Sequence, residues 1–500
     1  MATEAQEGKI LTHEMQGRRR WLAFMVLCLG AIMIVLDSTI VNVALPSIRT
    51  DLGFSETSLA WVVNAYMLTF GGFLLLGGRL GDLFGHRRVF LVSITVFTLA
   101  SLACGMATTQ WFLIAARGLQ GLGGAVVNAV VLSLMMNLFP EPGERAKAMG
   151  IFGFVCSGGG SLGAVLGGLL TNAFDWHFIF LVNLPVGAAV FALTWKLLPA
   201  SHGRAETGSL DVGGAVTVTV SLMLAVFAIV NGNQAGWTSA RTLGLLAVAA
   251  ALLGLFLFIE SRVRSPLVPL GIFRSRNVST ANIAGILWAA AMFAWFFLSA
   301  LYLQLVLGYN PLRVGLAFLP ANLIMAAFSL GLSARLVGRF GLRIPLAAGL
   351  AAAAVGLLLF ARAPANGTFI ADVLPSMLLL GLGAGIAFNP LLLAAMSDSA
   401  PEESGLASGL VNTSFMMGGA LGLAVLASLA ASRTGSLIAS GAAPLDALNG
   451  GYHIAFLTGA VFAALAAVLG GALLRETAGS GPGHAGTAPG RTEAVAGSIH

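Results

Sequence analysis

The sequence predicts an all-α polytopic membrane protein: two six-helix bundles with two extra helices between them, fourteen spans in total. Three observations predict it. The 500 residues are 57% hydrophobic and only 9% charged, whereas a soluble domain carries about 25% charge. Apolar runs of about 20 residues, the length needed to cross a bilayer core, recur along the whole chain. Sequence echoes join its two halves at an offset of about 256 residues.

The apolar runs start near Trp21, Ser58, Arg88, Gln110, Lys147, His177, Val212, Thr242, Ser279, Val314, Pro345, Phe369, Gly405 and Tyr452. Pro, Gly and charge break them, as in Pro140-Glu141-Pro142-Gly143-Glu144 and Ala363-Pro364-Ala365-Asn366-Gly367. The N-terminal polar stretch ends at Arg18-Arg19-Arg20. The apolar run after it is too long for a signal-peptide core and reads as an uncleaved first span.

Basic residues set the orientation. With the N-terminus inside, the cytoplasmic loops hold Arg87, Arg88, Arg145, Lys147, Arg204, Arg262, Arg264, Arg274, Arg276, Arg339, Arg343 and Arg475. The outer loops hold only Arg49, Arg241, Arg313, Arg362 and Arg433. This satisfies the positive-inside rule and returns both termini to the cytoplasm. The net charge of +6 is therefore an orientation signal, not a nucleic-acid patch. The outer connection from about Ser432 to Gly451 reads as a long mobile loop, and the Gly-, Ala- and Pro-rich tail after Glu476 as disordered. High Ala and Gly, with many Arg and few Lys, suggest a GC-rich bacterium and hence an inner-membrane location.

Gly78-Arg79-Leu80-Gly81-Asp82-Leu83-Phe84-Gly85-His86-Arg87 matches Ala334-Arg335-Leu336-Val337-Gly338-Arg339-Phe340-Gly341-Leu342-Arg343 at Arg, Leu, Phe, Gly and Arg. Leu52-Gly53-Phe54 echoes Leu307-Gly308-Tyr309, and Glu144, Ala148 and Gly150 echo Glu403, Ala407 and Gly409. The organisation that follows is an N-terminal segment (1–20), a six-helix bundle (21–200), a linker with two extra helices (201–278), a second bundle (279–475) and a tail (476–500). Parallel six-helix repeats with a site at their interface suit alternating-access transport.

Other classes find little support. Cys28, Cys104 and Cys156 lie in apolar runs without metal-ligand spacing. The seven His are scattered, nearly all in loops or tails, and no P-loop or nucleophile elbow appears, which argues against a membrane enzyme. No metal or cofactor is implied. The implied partners are a small-molecule substrate, protons and the lipid bilayer, with a monomer as the functional unit.

Four motifs carry a family resemblance. Leu36-Asp37-Ser38-Thr39-Ile40-Val41-Asn42-Val43-Ala44-Leu45-Pro46 lies in the first span. Gly78 to Arg88 joins the second and third spans, and Arg117-Gly118-Leu119-Gln120-Gly121 lies in the fourth. Gly150, Gly159, Gly163, Gly167 and Gly168 lie in the fifth. Over residues 20–475 the chain resembles the major facilitator superfamily, specifically its fourteen-span drug:proton antiporters. The antiporter glycine motif usually has Pro where this chain has Ala164, which bears on how far the fifth helix kinks. The resemblance implies proton-driven export of small hydrophobic or amphipathic compounds, the fold permitting a proton-coupled importer or facilitator as the alternative.

Asp37 stands about 17 residues beyond Arg20, roughly 25 Å into a core of about 30 Å. A carboxylate there costs about 2.5–3.5 kcal/mol on insertion scales and needs a cavity or a partner. Arg117, about seven residues into a descending helix, falls within a turn of the same depth. The two are expected to face one cavity and form or relay the proton site; the competing reading is that they only fix helix packing. Asp82 with Arg87 and Arg88, and Gly78 and Gly85 beside them, read as a cytoplasmic gate or, for the arginines, as topogenic charge. Gly163, Gly167 and Gly168 read as flat faces that pack and slide.

Candidate substrate contacts are Asn42, Asn64, Gln120, Trp288, Phe296, Gln304, Asn389 and Asn412, polar or aromatic groups within apolar spans. Asp372 is the other acid near a span mouth, and Glu260 and Asp398 are expected at a solvated boundary. One deep acid favours neutral or monovalent substrates. One proton moving through about 100 mV releases about 2.3 kcal/mol, roughly a fiftyfold gradient, which is enough for export.

Overall fold

The computed structural model describes residues 2–139, 141–198, 211–263, 266–397 and 404–475, and these form helices and short connections. The helices are α1 (Ala2–Leu52), α2 (Glu56–Phe84), α3 (His86–Gly105), α4 (Gln110–Leu138), α5 (Pro142–Ala173), α6 (Phe178–Leu181), α7 (Asn183–Leu197), α8 (Val212–Ala235), α9 (Ala240–Arg262), α10 (Arg276–Leu301), α11 (Pro311–Ala327), α12 (Ser333–Phe340), α13 (Arg343–Phe360), α14 (Leu374–Met396), α15 (Ser404–Ala439) and α16 (Pro444–Leu473). Twelve helical segments among the described residues are long and apolar enough to cross a membrane. The other two expected runs fall on α5 and α11, whose apolar stretches, Leu162–Ala173 and Pro311–Ala327, are shorter.

Local sequence explains the boundaries. Ser55 caps α2: its Oγ accepts from the Ser58 N–H (3.1 Å), and Ser58 Oγ accepts from the Ser55 N–H (2.9 Å). Thr109, Asp211, Ser239, Ser275 and Asn310 cap other helices through side-chain oxygens. Gly85 turns the chain from α2 into α3 at φ 88°, a backbone form that side-chain-bearing residues avoid. Its echo Gly341 has φ 73°, and the echoed pair Gly53 and Gly308 have φ 69° and 68°.

Two expectations are corrected. The loop expected from Ser432 to Gly451 is almost entirely helical: α15 runs to Ala439 and α16 starts at Pro444. Helix α15 runs through Gly435, the first stop is Gly441 (φ 88°), and Pro444 opens the next helix. Glu260, expected to be solvated, is buried at 4% exposure. Asp398 and the tail lie outside the described residues. The N-terminal segment is helical from Ala2 and continuous with the first span.

Packing within the two groups of helices follows one pattern. In the first, α2 and α3 pack on α4, α1 packs on α5 and α4, and α7 packs on α1 and α3. In the second, α11 and α13 pack on α14, α10 packs on α15 and α14, and α16 packs on α10 and α13. Across the groups α2 meets α15 and α5 meets α11, while α8 and α9 pack on each other and α8 also leans on α2 and α15.

Small residues make these contacts close. A Cβ on Gly167 would lie 2.6 Å from Ile40 O in α1, and one on Gly168 would lie 2.6 Å from Pro311 O in α11. One on Gly163 would clash with the Thr39 side chain and lie 2.9 Å from Leu36 O. Helix α5 continues through Ala164, whose carbonyl abuts Gly315.

Candidate functional site

The site is a buried polar cluster assembled from α1, α2, α3, α4, α6 and α7. Asp37 Oδ2 accepts from Arg117 Nη1 at 2.6 Å. Asp37 Oδ1 accepts from Gln120 Nε2 at 2.7 Å and from Asn183 Nδ2 at 2.9 Å. The carboxylate is fully enclosed, at 0% exposure, and Arg117 is at 1%.

Arg117 is held from several sides. Its Nε donates to Val62 O at 3.0 Å, and its Nη1 also donates to Gln120 Oε1 at 2.6 Å. The guanidinium lies 4.4 Å from the ring centre of Tyr66 and 5.6 Å from that of Phe180, within cation–π range. Gln120 Nε2 also donates to Ser101 Oγ at 2.8 Å, and Cys104 Sγ lies 3.7 Å from Gln120 Oε1.

The i, i+3 spacing of Arg117 and Gln120 puts both on one face of α4, opposite Asp37 on α1. A buried ion pair is tolerable only where further hydrogen bonds satisfy its remaining valences. Here two amides, a backbone carbonyl and an aromatic face supply them. Proton arrival at Oδ2 would weaken the Asp37–Arg117 contact while Val62, Gln120 and Tyr66 still hold the guanidinium, so the cluster can exist in two states.

The structure brings Asp37, Arg117 and Gln120 together, inside the helix packing rather than on an open cavity wall. Gln120, read as a substrate contact, is a ligand of Asp37. Asn183, Ser101 and Phe180 were missed; the signal available for Asn183 was an amide within an apolar run, the same signal that singled out Asn42 and Asn64.

The remaining candidates are dispersed. Asn42 and Asn412 donate to carbonyls one turn back, Ser38 O (3.3 Å) and Ser408 O (3.0 Å). Gln304 donates to Val43 O across the two helix groups at 2.8 Å. Phe296 stacks on Phe318 with ring centres 5.5 Å apart, and Asn389 is half-buried. Asn64 is fully buried with neither amide atom bonded, and Trp288 is buried with its Nε1 unbonded. Asp372, near its span mouth, accepts from the Thr368 N–H at 2.7 Å.

At the arginine-rich end, Asp82 Oδ1 lies 3.2 Å from His86 Nε2, with the Asp82 side chain 69% exposed. Arg87 donates to Trp195 O on α7 and stacks over its ring, and Arg88 is exposed beside it. Gly78 has open space around it, whereas a Cβ on Gly77 would lie 2.8 Å from Val126 Cα in α4. The close α2–α4 approach is therefore made by Gly77 on α2 and by Gly121 on α4, which lies against the Tyr66 backbone.

Twelve described helical segments long and apolar enough to cross a membrane, with a charged pair enclosed among them, define a multi-pass helical membrane protein. The Major Facilitator Superfamily model matches residues 27–423, and the chain belongs to that family. It is 38% identical to a puromycin resistance protein of Streptomyces alboniger over 483 residues, 95% of each chain. It is 37% identical to a cephamycin export protein of Amycolatopsis lactamdurans, covering 89% of this chain and 91% of that one. Its fold resembles that of a bacterial homologue of the human lysosomal transporter Spinster, solved in an inward-facing, unoccupied conformation (TM-score 0.66, 14% identity, 90% and 96% coverage).

Proposed function

We propose that the protein exports small hydrophobic or amphipathic antibiotics in exchange for protons, with Asp37 as the proton-binding group and Arg117 as its responsive partner. The observation that carries this is the enclosed Asp37–Arg117 pair, 2.6 Å apart, in which Arg117 also donates to Val62 O and Gln120 Oε1. Relatives named for puromycin resistance, cephamycin export and tetracenomycin C resistance and export support efflux. Those names span several antibiotics, so the substrate is a class rather than one compound. With Asp37 the one deep acid among the described residues of the two bundles, the class proposed is neutral, weakly basic or monovalent.

Fourteen spans support alternating access, with twelve long helices and α5 and α11–α12 completing the count. The shared packing pattern and the positive φ at corresponding glycines support two homologous halves, 21–200 and 279–475, with α8 and α9 between them. The arginine distribution supports both termini in the cytoplasm; an inner-membrane location and a monomeric working unit belong to the same proposal. On that orientation the contacts of Gly168 with Pro311 and of Gln304 with Val43 close the outer side. Asp82, Arg87, Arg88 and the flexible Gly85 then form the cytoplasmic gate, and Gly163, Gly167 and Gly168 form the sliding faces.

Inverted membrane vesicles given a puromycin-type antibiotic and an imposed proton gradient test the reading. Antibiotic accumulation that collapses with a protonophore is the expected result. Equal movement with and without the gradient would make the protein a facilitator, and movement of the antibiotic along with the protons would make it an importer.

A further inference from the structure

The helix pair between the two groups contains a second buried acid site. Asp211 caps α8, its Oδ1 accepting from the Gly214 N–H at 2.7 Å. Glu260, in the last turn of α9, accepts from the Val268 N–H through Oε2 at 3.1 Å. The chain after α9 thus folds back over the end of its own helix. The two residues are 5% and 4% exposed.

Each carboxyl has one oxygen left over. Asp211 Oδ2 and Glu260 Oε1 are buried and have no donor. Both converge on Gly214, where a Cβ would stand 2.5 Å from the first and 3.0 Å from the second. Both oxygens therefore face one enclosed space beside the first turn of α8. Two ionised carboxylates repel there, whereas one proton between them makes an O–H···O⁻ bond that satisfies both oxygens at once.

The charge count agrees. Among the described residues the cation acting on Glu260 is Arg79 of α2, which also donates to Pro266 O at 2.8 Å. Arg262, on the same helix as Glu260, is exposed and stacks on Phe258 instead. The described return segment contributes backbone groups, and an apolar cavity of about 210 Å³ lined by Val268, Leu267 and Phe256 adjoins it. One negative charge on the pair balances Arg79, and a second would stand unneutralised in apolar surroundings.

We propose that Asp211 and Glu260 hold one shared proton, a proton-binding site in the helix pair between the halves and separate from Asp37. The site fastens the start of α8, the end of α9 and the return segment to the arginine-rich end of α2. Arg79 lies between Gly78 and Asp82 there, so loss of the shared proton sets the start of α8 and the end of α9 against each other beside that end of α2. This inference does not depend on the export reading.

The test compares purified full-length wild type with Glu260→Gln and Asp211→Asn in lipid nanodiscs. In infrared difference spectra at neutral pH, each variant should lose one protonated-carboxyl band. The native state holds a proton that free carboxyls would release, so wild-type stability should fall as pH rises from the ordinary carboxyl range through neutrality, and both variants should lose that component. Loss of carboxylate bands alone, with an unchanged pH profile, would overturn the proposal. So would magnesium or calcium stabilising only the wild type, which would make the pair a cation site. If Glu260→Gln does not fold, Asp211→Asn decides, because its amide oxygen can still accept from Gly214.

Discussion

Removing one member of the Asp37–Arg117 pair should cost far more than removing both. Asp37→Asn leaves an enclosed guanidinium without its counter-ion and turns an amide N–H toward Nη1. Breaking a buried pair typically costs about 3–5 kcal/mol. Arg117 keeps Val62 O, Gln120 Oε1 and the Tyr66 face, so the cost should fall near the lower end, about 3 kcal/mol. Arg117→Met leaves Asp37 with both amides on Oδ1 and nothing on Oδ2, a loss of similar size. The double variant buries no net charge and should lie within about 1 kcal/mol of wild type, giving a coupling of several kcal/mol. Thermal unfolding of the four proteins in one detergent, monitored by circular dichroism, measures the cycle. Single losses below about 1 kcal/mol that simply add in the double variant would show that the pair is not the enclosed unit described.

Helix α5 offers a paired comparison. Gly167→Ala drives a Cβ against the Ile40 carbonyl and should cost about 1–3 kcal/mol, whereas Gly160→Ala, with nothing nearer than Thr39 Cγ2 at 3.9 Å, should be neutral or slightly stabilising in the same melting assay. Gln304→Leu removes the hydrogen bond to Val43 that joins the two helix groups. A loss of about 1 kcal/mol corresponds to roughly a fivefold shift toward separation at that end, readable as a longer spin-label distance. Gly85→Ala forces a side chain into φ 88° and should lower transport rate and stability together, as uptake and melting measurements would show.

Most of the fold was legible because length and apolarity decide membrane helices almost alone. The apolar runs located the helices, and the echoes at Gly53 and Gly85 pointed to glycines that share a positive φ with Gly308 and Gly341. The false loop at 432–451 arose because polar residues such as Ser432, Arg433 and Thr434 read as a connection, although nothing there stops a helix before Gly441. Asp37 and Arg117 were found by depth, since charge inside a span demands a partner. Gln120 and Asn183 were harder: an amide in an apolar run marks a polar need without saying whose. The burial of Glu260 could not be read from its neighbours in sequence, because the return segment and α2 create it.

The most direct test of the central claim separates exchange from coupling at Asp37. Purified wild type and Asp37→Asn, reconstituted in liposomes with a transported antibiotic, are compared in antibiotic–antibiotic exchange and in gradient-driven accumulation with internal pH recorded. The account predicts that Asp37→Asn still exchanges antibiotic but neither accumulates it nor moves protons. Gradient-driven accumulation with proton movement at the wild-type level would contradict it and place the coupling group elsewhere.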